Sequence, residues 1–460
     1  MTTTSAGTAR DFLRRHSIDT RPLRHPPYRR VFIGNAVSNF GFQFTAVAVQ
    51  VQMYALTHSS GYVGLLGLAS LIPLVVFGVW GGAISDTVDR RRLLLASSLL
   101  LWCSTLGLLL QALLGLHQPW LLFVLMAVQA TAFSVSAPTR NAILPRLVPA
   151  PEIPSANTLN TTTFNAALVL GPILGGLIVH NGEDRYVVWA YLVDAVAFLA
   201  ALWATWRLPS IPPQSRASRS DGSPGRVAGW PEIRAGFAFI AASPVLWLSF
   251  AIDIAAMVLA LPRSLFPQVA AQQFGAGSIG FLYAAIGIGS VVAGLTSGWI
   301  RRVHRQGVAL VISVVVWGLA VGAAGLAGSL WLAVLLLAVG GAADLVSAVY
   351  RQSILQTYAP DGLQGRMQGI FIAVVAGGPR LGDLRAGFTA AVIGPTVAWA
   401  GGGIAAAVVA AGLALAFPAL LRYTPPPRTD GATVDATEVV ADGAIDLSAG
   451  PAPSVPTAPG

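Results

Sequence analysis

The five longest stretches of this chain without Asp, Glu, Lys or Arg are residues 31–85, 93–139, 264–300, 306–343 and 386–421. A helix needs about 20 apolar residues to cross a bilayer. The first two stretches are therefore each long enough for two spans and a short turn. Barrel strands would show about 10 residues of alternating pattern, so uninterrupted runs of this length predict helices. The pattern predicts twelve spans, at residues 31–55, 61–85, 93–115, 119–141, 158–180, 186–207, 244–268, 278–300, 307–327, 330–351, 367–394 and 397–421.

The connections alternate in character. THSSG, GLHQP, HNGEDR, QQFGAGS and GLAGS are short and carry only one Arg, Arg185. The others are basic: seven Arg in the first 30 residues, then Arg90, Arg91 and Arg92, Arg140 and Arg146, Arg207 to Arg234, Arg301, Arg302 and Arg305, and Arg351 and Arg366. Basic loops stay cytoplasmic, which predicts cytoplasmic termini and an even number of spans. The organisation expected is a basic arm at 1–30, a first set of six helices at 31–207, a cytoplasmic linker at 208–243, a second set at 244–421 and a tail at 422–460. The tail is rich in Pro, Thr and Ala and acidic, a composition that reads as disordered.

Composition agrees. The 460 residues are 55% hydrophobic and only 10% charged, against about 25% charged in soluble proteins. A water-soluble globule is excluded. The net charge is +9 with no Lys. Because the Arg residues sit at membrane edges, they read as topology signals and anionic-lipid contacts rather than a nucleic-acid surface. Cys103 lies in an apolar run and reads as an inert buried thiol, and the six His residues form no ligand-spaced cluster, so no metal site is expected. The first 30 residues have no apolar core or small-residue cleavage site and do not read as a secretory signal. A membrane-embedded enzyme is disfavoured too: no metal cluster, Ser-His-Asp set or phosphate loop is visible.

The chain repeats itself. Residues 140–149 read RNAILPRLVP and residues 351–360 read RQSILQTYAP, an offset of 211. Residues 82–91 read GAISDTVDRR and residues 294–302 read GLTSGWIRR, an offset of 212. Two matches at nearly one offset imply a six-span unit used twice in the same orientation, a layout known among transporters.

Several motifs carry a resemblance. Gly82, Asp86, Arg90 and Arg91 close the second span, with an anion and a basic run at the cytoplasmic edge. Gly171, Pro172, Gly175 and Gly176 place small residues and a kink in the fifth span. The first motif resembles the cytoplasmic-loop signature of the major facilitator superfamily, although Asp89 stands where that signature usually has Gly. The second resembles the motif of its antiporter-type members, with Ala167 in place of an upstream Gly. ALPRSLFP at 260–267, IGFLYAAI at 279–286, Gln50 and Gln52 before the Thr57-His58-Ser59 turn, and Gly382-Asp383 are similar to the enterobactin exporter branch of that superfamily. The resemblance covers roughly residues 25–422. It implies an all-α membrane protein of twelve transmembrane helices in two six-helix bundles. It further implies proton-driven export from the bacterial inner membrane of a siderophore or related amphipathic compound, without a cofactor. The partners implied are a small-molecule substrate, protons and the lipid bilayer, with the protein acting as a monomer. A multidrug or macrolide pump of the same superfamily, and a non-transporting receptor or scaffold, stay open. The first motif reads as a cytoplasmic gate or as a topology-setting turn. The second reads as an antiport element or as plain helix packing.

Charges inside predicted spans are functional candidates by default. They are Asp194, Asp253, Arg263, Asp344, Arg380, Asp383 and Arg385. In the eleventh span, Gly377-Gly378-Pro379 weakens the helix. Arg380 and Asp383 share a face there. Arg385 needs a partner, for which Asp253 is available. Asp253 or Asp383 is expected to couple protons, since a carboxylate that gains and loses an Arg neighbour binds and releases a proton. The alternatives are a static charge network and an anion-binding set of Arg residues. Asn35, Asn39 and Gln43, and Thr161 and Asn165, recur at four-residue spacing. Such stripes line a water-filled cavity or bond helices together.

Overall fold

The computed structural model describes residues 19–85, 88–179, 183–211, 238–358 and 364–424. Among them run twelve helices of at least 17 residues: α1 (Pro26–Thr57), α2 (Ser60–Ser85), α3 (Arg90–Leu113), α4 (Pro119–Leu147), α5 (Ile153–Ile178), α6 (Asp184–Trp206), α7 (Pro244–Ala260), α8 (Ile279–Leu295), α9 (Gln306–Gly325), α10 (Leu330–Tyr358), α11 (Gln364–Ile393) and α12 (Pro395–Ala416). Nine are long and apolar enough to cross a membrane, α7 when taken together with the short turns that follow it to Phe274. The other three are α1, which carries the Asn35/Asn39/Gln43 stripe, α8, at 17 residues, and α11, with its three mid-helix charges.

The sequence sets the ends. Proline opens α1, α4, α5, α7 and α12 within the first turn, where its missing N–H removes no helical bond. His58 closes α1 in a left-handed conformation at φ 48° and α2 begins two residues later. Gly394, at φ 83°, is the single residue between α11 and α12, a conformation that glycine adopts without a Cβ penalty.

Packing follows one scheme twice. Within the first six helices α1 packs on α5 and α6, α2 on α4, and α3 on α4 and α6. Within the last six α7 packs on α11 and α12, α8 on α10, and α9 on α10 and α12. The sets meet through α2 against α11 and α5 against α8, which is one contact and its counterpart. Large apolar side chains such as Leu295 and Val392, both 84% exposed, cover the outward faces. Apolar surface on that scale is what lipid covers.

Four expectations need correction. First, the seventh span is not one helix. α7 stops at Ala260; Leu261 and Pro262 follow, then a 3₁₀ turn at Arg263–Leu265, a short helix at Phe266–Val269 and a π turn to Phe274. Pro262 has no N–H to bond and its ring crowds the carbonyl four residues back. Second, α11 runs unbroken through Pro379; Gly378 and Gly382 there serve close packing on Met257 of α7. Third, the fourth and tenth helices do not end at residues 141 and 351, next to Arg140 and Arg351, but run to Leu147 and Tyr358. α4 and α10 each continue about two turns past the Arg, because Ile143 and Leu147, and Ile354 and Leu355, are still buried. Fourth, Cys103 is exposed on the surface of α3. The linker beyond Ile211 to residue 237 and the tail beyond Thr424 lie outside the described residues.

Candidate functional site

The break after α7 explains two of the charges on α11. A helix end leaves carbonyls without partners. Arg385 supplies donors to them: its Nε donates to the Val258 carbonyl at 3.1 Å, and its terminal nitrogens donate to the carbonyls of Leu259 and, on α12, Ala398. Gly402 leaves the room, since a Cβ there would run into the Arg385 guanidinium. Three carbonyls thus take the place of the carboxylate partner expected from Asp253. On the other side of the break, Asp383 Oδ1 accepts the Ser264 backbone N–H at 3.1 Å, and Ser264 Oγ donates to the Asp383 carbonyl at 2.7 Å. A cation lies at the helix end and an anion where the chain turns helical again, the arrangement helix dipoles favour. Arg380 donates to the Ala376 carbonyl one turn back and forms no ion pair with Asp383, so the pairing expected from their spacing is not made. Arg263 contributes its carbonyl, which accepts from Tyr283 at 3.1 Å.

Asp253 is used elsewhere. It pairs with Arg351 of α10, both side chains being at most 5% exposed, and Asp344 stands 4.0 Å from the same guanidinium. Asp194 of α6 is buried and accepts from Thr45 of α1 at 2.6 Å and Thr105 of α3 at 3.3 Å. It ties three helices of the first set together.

Glycines govern both contacts between the sets. A Cβ on Gly176 of α5 would overlap the Gly280 backbone of α8, and one on Gly280 would strike the carbonyls of Pro172 and Ile173. Gly171 and Gly175 admit Gln43 and Phe44 of α1 in the same way. At the second contact Gly64 and Gly67 of α2 face the Asp383 and Arg380 backbone, and Gly387 faces Ser60. Among the described residues two side-chain hydrogen bonds join the sets. Ser60 Oγ donates to Gln268 Oε1 at 2.6 Å and the Tyr283 hydroxyl donates to Gln50 Oε1 at 2.5 Å.

Of the loop motif, Gly82 is helical near the end of α2 and Asp86 lies outside the described residues. Arg90 donates its backbone N–H to the Ile211 carbonyl at 3.0 Å, and Arg91 donates to the Trp206 carbonyl at 2.7 Å. Asp89, the residue that departs from the signature, caps α3. Its carboxylate accepts the N–H groups of Arg91 and Arg92 and the hydroxyl of Ser210. The Ser210 hydroxyl beside it, followed by those N–H bonds, holds the Asp89 carboxyl below its ordinary range.

A cavity of about 250 Å³ lies among α1, α3, α4 and α5. Asn35 and Asn39 of the predicted stripe line it, with Arg140 and Asn160. Gln43 packs on Gly171 instead, and Thr161 and Asn165 are exposed outside it. Sequence reading picked out Arg140, and Tyr283 and Gln50 within its family-like strings, but not what they touch. A signal for Arg140 existed: the run after it, NAILPRL, is still apolar enough to be helical. Nothing in the sequence pairs Tyr283 with Gln50, which are single polar groups in apolar helices of different sets.

The sequence profile of the transmembrane secretion effector family matches residues 18–435. Enterobactin exporters EntS of Escherichia coli (strain SMS-3-5 / SECEC) and Shigella boydii serotype 18 are each 30% identical over 414 residues, 88% of this chain and 95% of theirs. Among solved structures, the nucleoside transporter NupG superposes with TM-score 0.66 at 16% identity, over 87% of this chain and 100% of that one. A bacterial homologue of the iron transporter ferroportin, in an inward-facing state, superposes with TM-score 0.64 at 12% identity, over 86% and 99%. These are transporters, not enzymes. The chain is a multipass membrane transporter that belongs to the transmembrane secretion effector family of the major facilitator superfamily.

Proposed function

We propose that this chain is a secondary active exporter of the bacterial inner membrane, with both termini cytoplasmic. Its twelve helices act as two six-helix bundles that rock about a central site and move a siderophore of enterobactin type, or a related amphipathic compound, outward in exchange for protons. The observation that carries this reading is the near full-length similarity to enterobactin exporters. The repeated packing scheme supports the two bundles. The contacts between the sets support alternating access. Gly64, Gly67 and Ser60 stand at the start of α2, Gly387 late in α11, Gly176 at the end of α5 and Gly280 at the start of α8. With the termini cytoplasmic, all of these fall on the outer side, as in a conformation closed outside and open inside.

Asp383 is the better candidate for the coupling proton. It sits at the contact with α2, beside Arg263, Arg380 and Tyr283, so opening the outer side would change its surroundings. Asp253 is committed to Arg351 within one bundle. Gly82, Asp86, Arg90 and Arg91 would form the cytoplasmic gate closed in the opposite state. A deletion strain tests the function: it should secrete less siderophore under iron limitation. Normal secretion with new drug sensitivity would instead favour a multidrug pump, and neither change would contradict export.

A further inference from the structure

The repeat makes Arg140 and Arg351 equivalent, yet their surroundings differ. Arg351 is neutralised by Asp253 and Asp344. Shifting by the offset of 211 brings Asp253 onto Phe42 and Asp344 onto Phe133. The two phenylalanines stack on each other, with ring centroids 6.3 Å apart and planes 15° from parallel. Among the described residues Arg140 has no carboxylate partner. Its only side-chain hydrogen bond among the described residues is to Ser136 Oγ at 3.1 Å, and its buried Nε has none. Leaving a cation without a counter-charge inside a membrane protein is costly and marks functional positions.

What Arg140 faces is the cavity among α1, α3, α4 and α5. Asn35, Asn39 and Asn160 line it, as do the aromatic side chains Phe32 and Phe164. At about 250 Å³ it is below the roughly 300–1,000 Å³ of pockets that hold whole drug-sized ligands. It suits one substituted ring. A guanidinium supplies a planar, charge-assisted fork for an acidic oxygen, and the phenylalanines supply an apolar, aromatic lining.

We infer that the cavity of the first six helices is a binding site for a planar aromatic group carrying an anionic oxygen, with that oxygen on Arg140. The inference rests on the exporter reading and adds where, and by what chemistry, an acidic aromatic arm of the substrate is held. The equivalent position in the second set is filled by the protein's own carboxylates, so the two sets are chemically unequal: one is self-neutralised, the other waits for a ligand's charge.

The test is binding of salicylate and of its uncharged isostere salicylamide to the full chain in lipid nanodiscs, read by saturation-transfer NMR. Salicylate should bind. Arg140→Gln should weaken it at least about tenfold, the effect of losing a charge-assisted bond, and leave salicylamide within about twofold. Arg140→Lys should recover part of the loss. Should Arg140→Gln fail to fold, Ala36→Phe, which fills the cavity from α1, must abolish salicylate binding. Salicylate binding unchanged in Arg140→Gln or in Ala36→Phe would overturn the site, as would equal affinity for the two probes in the wild type. The assay needs no transport. Arg140-dependent binding without siderophore flux in vesicles would leave the site standing and contradict export, whereas flux with Arg140-independent binding would contradict the site alone.

Discussion

The Asp253–Arg351 pair is the ion pair from which the largest stability effect is expected. Both side chains are at most 5% exposed, on α7 and α10. Asp253→Asn leaves a buried guanidinium whose remaining counter-charge is Asp344, 4.0 Å away. Breaking a buried pair from one side costs about 3–5 kcal/mol. Asp344 retains some attraction at that separation, so the lower end, about 3 kcal/mol, is expected. Arg351→Gln leaves buried Asp253 without its cation and with Asp344 as a nearby like charge, and should fall at the upper end, about 5 kcal/mol. The double variant Asp253→Asn/Arg351→Gln removes both charges and should be less destabilised than the two singles combined by about 1–3 kcal/mol. The assay is SDS-titrated unfolding in mixed micelles, followed by tryptophan fluorescence. If both singles lie within about 0.5 kcal/mol of the wild type, or if the double is additive, the pair does not hold α7 to α10. The same variants also test coupling. With Asp253 structural, the double variant keeps its response to a pH gradient.

Other positions give narrower tests. Gly176→Ala puts a methyl group against the Gly280 backbone; it should cost about 1–3 kcal/mol by overpacking and weaken the α5–α8 contact, read as a longer spin-label distance across it. Arg385→Ala strips donors from the carbonyls of Val258, Leu259 and Ala398 and should cost at least about 2 kcal/mol by the same unfolding assay, with no coupling to Asp253→Asn. Asp89→Ala removes the α3 cap at a cost of about 1 kcal/mol. Because the folded Asp89 carboxyl lies below its ordinary value of 3.8, its contribution is full above that pH and lost only as pH falls through the lowered value; amide exchange at Arg91 and Arg92, corrected for intrinsic rates, should stay protected at pH 5.

Much of the helix order was legible because apolar runs of this length have few other solutions. The repeat was legible from two short matches. What sequence could not give was partnering. Arg385 looked like a charge in need of a charge, but Pro262 frees carbonyls on a different helix, and a long-range need of that kind leaves no local pattern. Asp253 looked available to Arg385 because Arg351 looked like the cytoplasmic end of its helix. That error came from ending α10 at its first Arg, although buried Ile354 and Leu355 carry the helix further. Arg140 was misplaced in the same way, which hid the cavity it lines. The amide stripe was half informative: Asn35 and Asn39 line that cavity, while Gln43 is spent on helix packing against Gly171. Cys103 shows the converse, an apolar neighbourhood in sequence that is outward-facing surface in the fold.

Proton-driven export is tested most directly with the purified chain in proteoliposomes. With the lumen made acidic and the cytoplasmic face outward, enterobactin supplied outside should accumulate inside above its equilibrium level, and a protonophore should abolish the accumulation. Asp383→Asn should lose the dependence on the gradient while retaining equilibration. Flux that ignores the protonophore would contradict proton coupling, and no flux of enterobactin at all, from protein shown to be folded, would contradict the siderophore reading of this transporter.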